Sequence, residues 1–151
     1  MDFGATRIGV HAGAALVGNF GGDRFFDYTA YGDTINTAAR LEAANKPLGT
    51  RICVSDAAVK AAGVFRGRPI GDLVLRGRRE ALRTHEPLSP GQFDDPATAE
   101  YATAFRLLEA GNAASLPAFA ALVGAHHDDP LANFHLRRLL NGASGATIRL
   151  E

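Results

Sequence analysis

Cysteine is nearly absent from this sequence: Cys53 is the only one. A single thiol cannot form an internal disulfide, so nothing points to an oxidising compartment. Its place in the apolar run Ile52-Cys53-Val54 marks a buried strand residue rather than a reactive thiol. Net charge is absent too, with 16 basic and 16 acidic residues. That removes the electrostatic footprint of a nucleic-acid binder or of a protein drawn to anionic membranes. Residues 1–7 hold no basic stretch followed by an apolar one, so no signal peptide is read there. No apolar run nears the roughly 20 residues needed to cross a bilayer. These absences predict a soluble, cytoplasmic chain. The glycines of Gly18-Asn19-Phe20-Gly21-Gly22 make no GxGxxG loop, and no Lys-Ser/Thr pair follows them. His126, His127 and His135 lack the spaced cysteine or acidic partners of a metal site.

What is present is 151 residues, enough for one domain or for a part-domain with an appendage. Such a chain can bury roughly two-thirds of its unfolded surface. Residues 7–13 read as a strand ending at a glycine, 14–20 as a second apolar run, and 24–31 as a third strand rich in aromatic and β-branched residues. The three are expected to be adjacent pieces of one sheet. Asp33 then reads as the N-cap of a helix whose Ile35, Ala38, Ala39, Glu42 and Ala43 recur at helical spacing until Pro47 and Gly49. A short buried strand over 51–55 and a short helix ending near Gly63 follow. Residues 65–68, 72–75 and 81–86 read as three weaker strands, which gives an α+β pattern.

Residues 87–96 hold three prolines and read as a linker. Beyond it alanine and leucine take over, and three helices are expected over 97–110, 116–127 and 130–140, with a polar end that frays. The three helices could be one unit of a helical repeat, but no second copy follows.

The stretch from Asp27 to Glu42 carries the chemistry. Asn36 and Arg40 stand four apart on the predicted helix and so share a face. No acidic partner for Arg40 lies on that face, which leaves its guanidinium free to grip a polyanion as a planar fork. An amide one turn away and the Thr29 hydroxyl would suit the rest of a nucleoside phosphate. From spacing alone the commoner explanation is a pair of solvated helix residues. Arg76, Arg78 and Arg79 form a basic turn that is likewise compatible with plain solvation.

The ordered motifs Gly9-Val10-His11-Ala12-Gly13, Val17-Gly18-Asn19, Asp27-Tyr28-Thr29, Gly32-Asp33-Thr34-Ile35-Asn36 and Ala38-Ala39-Arg40-Leu41-Glu42 closely resemble class III adenylate and guanylate cyclases. Gly49-Thr50-Arg51-Ile52-Cys53-Val54-Ser55 and Leu75-Arg76-Gly77-Arg78 continue the resemblance in the same order. It implies a ferredoxin-like α+β half-domain over residues 1–88, the C-terminal part of a catalytic domain, with a linker and helical tail over 89–151. It also implies conversion of ATP to cyclic AMP and pyrophosphate, with magnesium or manganese as cofactor, in a homo-oligomer or a pairing with another cyclase chain.

Under the resemblance Asn36 matches the asparagine that orients the ribose, and Arg40 the arginine that stabilises the pentavalent phosphorus. Thr29, seven positions before Asn36, falls at the base-selecting position and favours adenine over guanine. Arg76 stands where the family has a lysine on the terminal phosphates; it keeps the charge but not the geometry. His11 matches a family histidine and is read as structural.

The family holds its two metal ions on aspartates of the N-terminal half, which would precede Thr6. Asp23 and Asp27 fall at the wrong family positions to replace them. The expectation is therefore a fragment, or a chain that pairs with another, inactive alone. The alternative is a non-catalytic nucleotide-binding or protein-interaction module derived from a cyclase. The alanine-rich tail is read chiefly as packing material.

Overall fold

The computed structural model describes residues 4–22, 24 and 27–150. Strand β1 (Ile8–Val10) leads through β2 (Leu16–Phe20) and β3 (Asp27–Tyr31) to helix α1 (Asp33–Leu48). Strand β4 (Ile52–Ser55), helix α2 (Asp56–Ala62), β5 (Gly67–Val74) and β6 (Leu82–Pro87) follow. The remainder is α3 (Pro90–Phe93), α4 (Pro96–Glu109), α5 (Ser115–Ala125), α6 (Pro130–Leu140) and β7 (Thr147–Arg149). The architecture is α+β, as the sequence suggested.

One mixed sheet runs in the order β1-β4-β6-β5-β7. β1 pairs parallel with β4, and β7 parallel with β5; the inner pairings are antiparallel. β2 and β3 do not join it. They form a separate antiparallel ribbon, with Gly18 opposite Thr29. The expectation of three neighbouring strands in one sheet is thus corrected: β1 takes its partner from across α1. The three weaker strands resolve into two. Pro69 to Asp72 continue a single strand, with a register shift between Pro69 and Gly71 where a turn was expected.

Local chemistry explains most of the element ends. Ser55 caps α2 by accepting from the Ala58 N–H. Ser89 and Gln92 close a capping box on α3. Asp95 and Asp129 cap α4 and α6, each followed by proline at the first helical position. Asp33 does not cap α1 as predicted. It lies one residue inside the helix, Gly32 occupies the cap position, and no side chain caps it. Its carboxylate turns instead to Arg78, 3.2 Å away. Pro47 is carried within the last turn, and α1 stops at Gly49.

One core joins the two halves of the chain. Leu41 and Leu48 of α1 and Cys53, Ile70 and Leu73 of the sheet pack in one cluster with Tyr101, Phe105, Phe119, Leu131 and Ile148. Each such side chain contributes roughly 1.5–3 kcal/mol on burial. Burial pushes the Cys53 thiol up to about 12, in keeping with a packing role. Arg68 fastens the tail to the sheet. It forks onto both carboxylate oxygens of Asp129 at 2.6 and 2.9 Å, reaches Glu86 at 2.8 Å, and lies 4.5 Å over the Tyr101 ring. The end of the chain does not fray as expected: β7 closes one edge of the sheet, with Ile148 buried.

Candidate functional site

α1 is held against β1 by close backbone approach. A β-carbon on Gly9 would stand 2.2 Å from the Ala38 carbonyl oxygen and 2.3 Å from the Glu42 nitrogen. Asn45, fully buried, reinforces the contact: its amide donates to the Ile8 carbonyl at 2.9 Å, while its side-chain oxygen accepts from Thr50 at 2.7 Å. The Thr34 hydroxyl ties the first turn to the Ala14 carbonyl. The helix carrying Asn36 and Arg40 is therefore fixed in rotation and height.

The turn after β5 faces the same helix. Arg78 donates to the Thr37 hydroxyl at 2.8 Å and pairs with Asp33. This brings the Arg40 guanidinium against Gly77, 3.5 Å from where a β-carbon would stand. Between α1, this turn and the end of β7 opens a cavity of about 710 Å³. Arg40, Arg76, Arg78 and Arg149 line it, with Leu75 and Pro47 among its apolar wall. No carboxylate lines it among the described residues. Arg78 has Asp33, but Arg40, Arg76 and Arg149 make no ion pair with any described residue. Guanidinium groups gathered this way make a positive local field.

Of the residues singled out in the sequence, the fold brings Arg40 and Arg76 together. Asn36 is exposed on the first turn of α1, outside the cavity wall. Thr29 is half-buried in β3 and also stands apart from it. The cavity therefore gathers the phosphate-binding candidates, and the ribose and base candidates lie on adjoining elements. His11 bonds through Nδ1 to the Ser55 hydroxyl at 2.8 Å, which supports its structural reading. Partial burial, with help from Arg78 and against Asp33, lowers its pKa. Sequence reasoning missed Arg149 altogether, because only the pairing of β7 with β5 brings it here.

The arginine-lined cavity has the wrong donors for magnesium or manganese, which take carboxylate and other oxygen ligands. No cluster of three histidine, cysteine, aspartate or glutamate side chains able to hold a metal occurs among the described residues. Asp23 lies outside those residues, and so does the side chain of Asp27. No helix is long and apolar enough to cross a membrane.

Comparison with known proteins identifies relatives of this chain. Over 82 residues the chain is 43% identical to "Adenylate cyclase 1" of Rhizobium meliloti (strain 1021), covering 54% of this chain and 12% of that protein. An adenylate cyclase of Anabaena cylindrica is 31% identical over 86 residues, 54% of this chain and 17% of that protein. The chain thus spans less than a fifth of either relative. The crystal structure of the adenylyl cyclase CyaB from P. aeruginosa superposes with a TM-score of 0.43 at 28% identity, over 50% of this chain and 38% of that one. Residues 5–86 match the profile of the adenylate and guanylate cyclase catalytic domain. That match takes in β1, the helix bearing Arg40, the turn bearing Arg76 and nearly all of β6, more than half of the residues, and the chain belongs to this family.

Proposed function

We propose that this chain supplies the transition-state side of an adenylate cyclase active site, whose reaction turns ATP into cyclic AMP and pyrophosphate. The observation that carries the reading is the convergence of Arg40 and Arg76 in one cavity with no carboxylate among its described lining residues. In that reaction the ribose 3′ oxygen forms a bond to the α-phosphorus as the bond to the pyrophosphate oxygen breaks, and the 3′ proton leaves. Negative charge grows on the phosphoryl oxygens and the leaving group. Arg40, anchored on α1, neutralises it where it develops, and Arg76 holds the terminal phosphates. Asn36 orients the ribose and Thr29 bonds to the edge of adenine. Magnesium or manganese would be held by carboxylates outside this sequence.

Those carboxylates come, in this reading, from a second chain or from a longer polypeptide, so the working site is shared across an interface. Exposed apolar residues support such a partner: Ile8 and Val10 on the edge strand β1, and Leu16, Val17 and Tyr31 on the β2–β3 ribbon. A cytoplasmic setting would supply the ATP.

The test mixes this chain with a cyclase half that carries the metal-binding aspartates and measures cyclic AMP. The mixture is expected to form product and this chain alone is not; a silent mixture overturns the reading. In an active mixture, Arg40→Ala should cut turnover about a hundredfold, roughly 3 kcal/mol of barrier, with folding unchanged. A second reading, a binding module without catalysis, draws on the absence of a metal-ligand cluster among the described residues. Under it ATP would bind with the same affinity with and without magnesium.

A further inference from the structure

We propose that Arg149, delivered by the strand that follows the helical tail, is a phosphate-positioning residue that completes the anion cavity begun by Arg40 and Arg76. The proposal rests on the cyclase reading for the identity of the anion, the terminal phosphates of a nucleoside triphosphate. Its placement is independent of that reading.

Residues 96–140 lead the chain away from β5 and back again, and the return is specific. β7 pairs parallel with β5, Asp72 opposite Thr147, Leu73 opposite Ile148 and Val74 opposite Arg149. The alternation of a strand sends Ile148 into the core and Arg149 to the other side. The pairing sets Arg149 opposite the last residue of β5, two positions before Arg76. Three features hold the register. The Asp72 N–H donates to the Ala146 carbonyl at 2.9 Å. Ile148 is 1% exposed. Arg138 of α6 donates to the Thr147 carbonyl at 2.6 Å.

The charge pattern identifies the ligand. Arg40, Arg76 and Arg149 reach one cavity from three separate segments, and no carboxylate in its described wall offsets them. Like charges gathered this way repel one another unless an anion of similar charge joins them. A terminal pyrophosphoryl group or an inorganic polyphosphate has that charge and the oxygen atoms to meet several guanidinium forks. A single phosphate or a carboxylate does not.

The experiment titrates the full chain with inorganic triphosphate in a magnesium-free buffer by calorimetry. It compares the native protein with Arg149→Gln and Arg149→Lys. Arg149 is exposed, so both variants should melt as the native protein does. The native chain is expected to bind, Arg149→Gln about tenfold more weakly, and Arg149→Lys in between. Equal affinities for the native protein and Arg149→Gln overturn the proposal, and so does a native chain that does not bind. The cyclic AMP assay in the mixed system is a separate measurement. A silent mixture alongside Arg149-dependent triphosphate binding would remove the cyclase reading and leave the anion site standing.

Discussion

His135 sits at 0% exposure among Tyr101, Phe105, Phe119 and Phe134, with ring centroids 5.2–6.2 Å away. Its Nε2 donates to the Ile70 carbonyl at 3.0 Å, and Arg138 donates to its Nδ1 at 3.2 Å, so the ring is held neutral. Burial first, then Arg138, with Arg68 acting the same way, lowers its pKa to about 3 against the Ile70 hydrogen bond. The folded pKa lies below the unfolded value near 6.5, so the stabilisation is complete above that value. It is lost as pH falls towards 3, at about 1.4 kcal/mol per pH unit. His85 and His11, also lowered chiefly by burial, add to the same trend. Urea unfolding between pH 7.5 and 5 should show stability falling steeply. His135→Phe should be less stable at pH 7.5, by about 1–2 kcal/mol for the orphaned Ile70 carbonyl, but with a shallower slope. Parallel slopes for the two proteins would contradict the assignment.

At the scale of elements, α1 and β1 are one unit because Gly9 has no side chain. A methyl there would run into the backbone of α1, which cannot yield as a side chain would. Gly9→Ala is expected to cost about 3 kcal/mol, at the upper end for overpacking. By lifting α1 it should also weaken triphosphate binding through Arg40. Urea unfolding and the same calorimetry measure both; a variant with native stability would show that the two elements separate easily. Gly71 plays a comparable part at the other edge. Its φ is 146°, and a β-carbon would stand 2.6 Å from the Ala146 carbonyl oxygen, so the chain entering β7 packs against β5 where no side chain intervenes. These close contacts bear on what the sequence could reveal. α1, β4 and α2 were legible because periodicity, Ser55 and Gly49 are local signals. In sequence β5 reads as two pieces, 65–68 and 72–75, because Gly71 between them looks like a turn until the register shift is seen. β7 was not legible: Thr147, Ile148 and Arg149 are too few to show a period, and their partner strand lies more than seventy residues back. Arg40 and Arg76 were readable through family motifs, whereas Arg149 depends on a pairing that no local pattern announces. The same holds for Arg68 and Asp129, whose fork joins residues 61 positions apart.

For the whole molecule, the part matching the cyclase profile and the helices after it share one hydrophobic core. Tyr101, Phe105, Phe119 and Leu131 cover apolar side chains of α1 and the sheet. A chain cut after residue 88 is therefore expected to lose cooperative unfolding and to aggregate, although it keeps every residue of the family match. Loss of amide dispersion in a two-dimensional NMR spectrum and binding of a hydrophobic dye would report this; a well-dispersed spectrum from the cut chain would show that the tail is dispensable.

Because β7 is made after the other strands described yet borders the arginine cavity, order of synthesis matters. A nascent chain on the ribosome that has reached residue 140 already possesses Arg40, Arg76 and all six helices described. It cannot yet lay Ile148 along β5 or bring Arg149 beside Arg76. The cavity therefore gains its last guanidinium only when residues 147–149 clear the exit tunnel, and until then it presents one fewer positive charge.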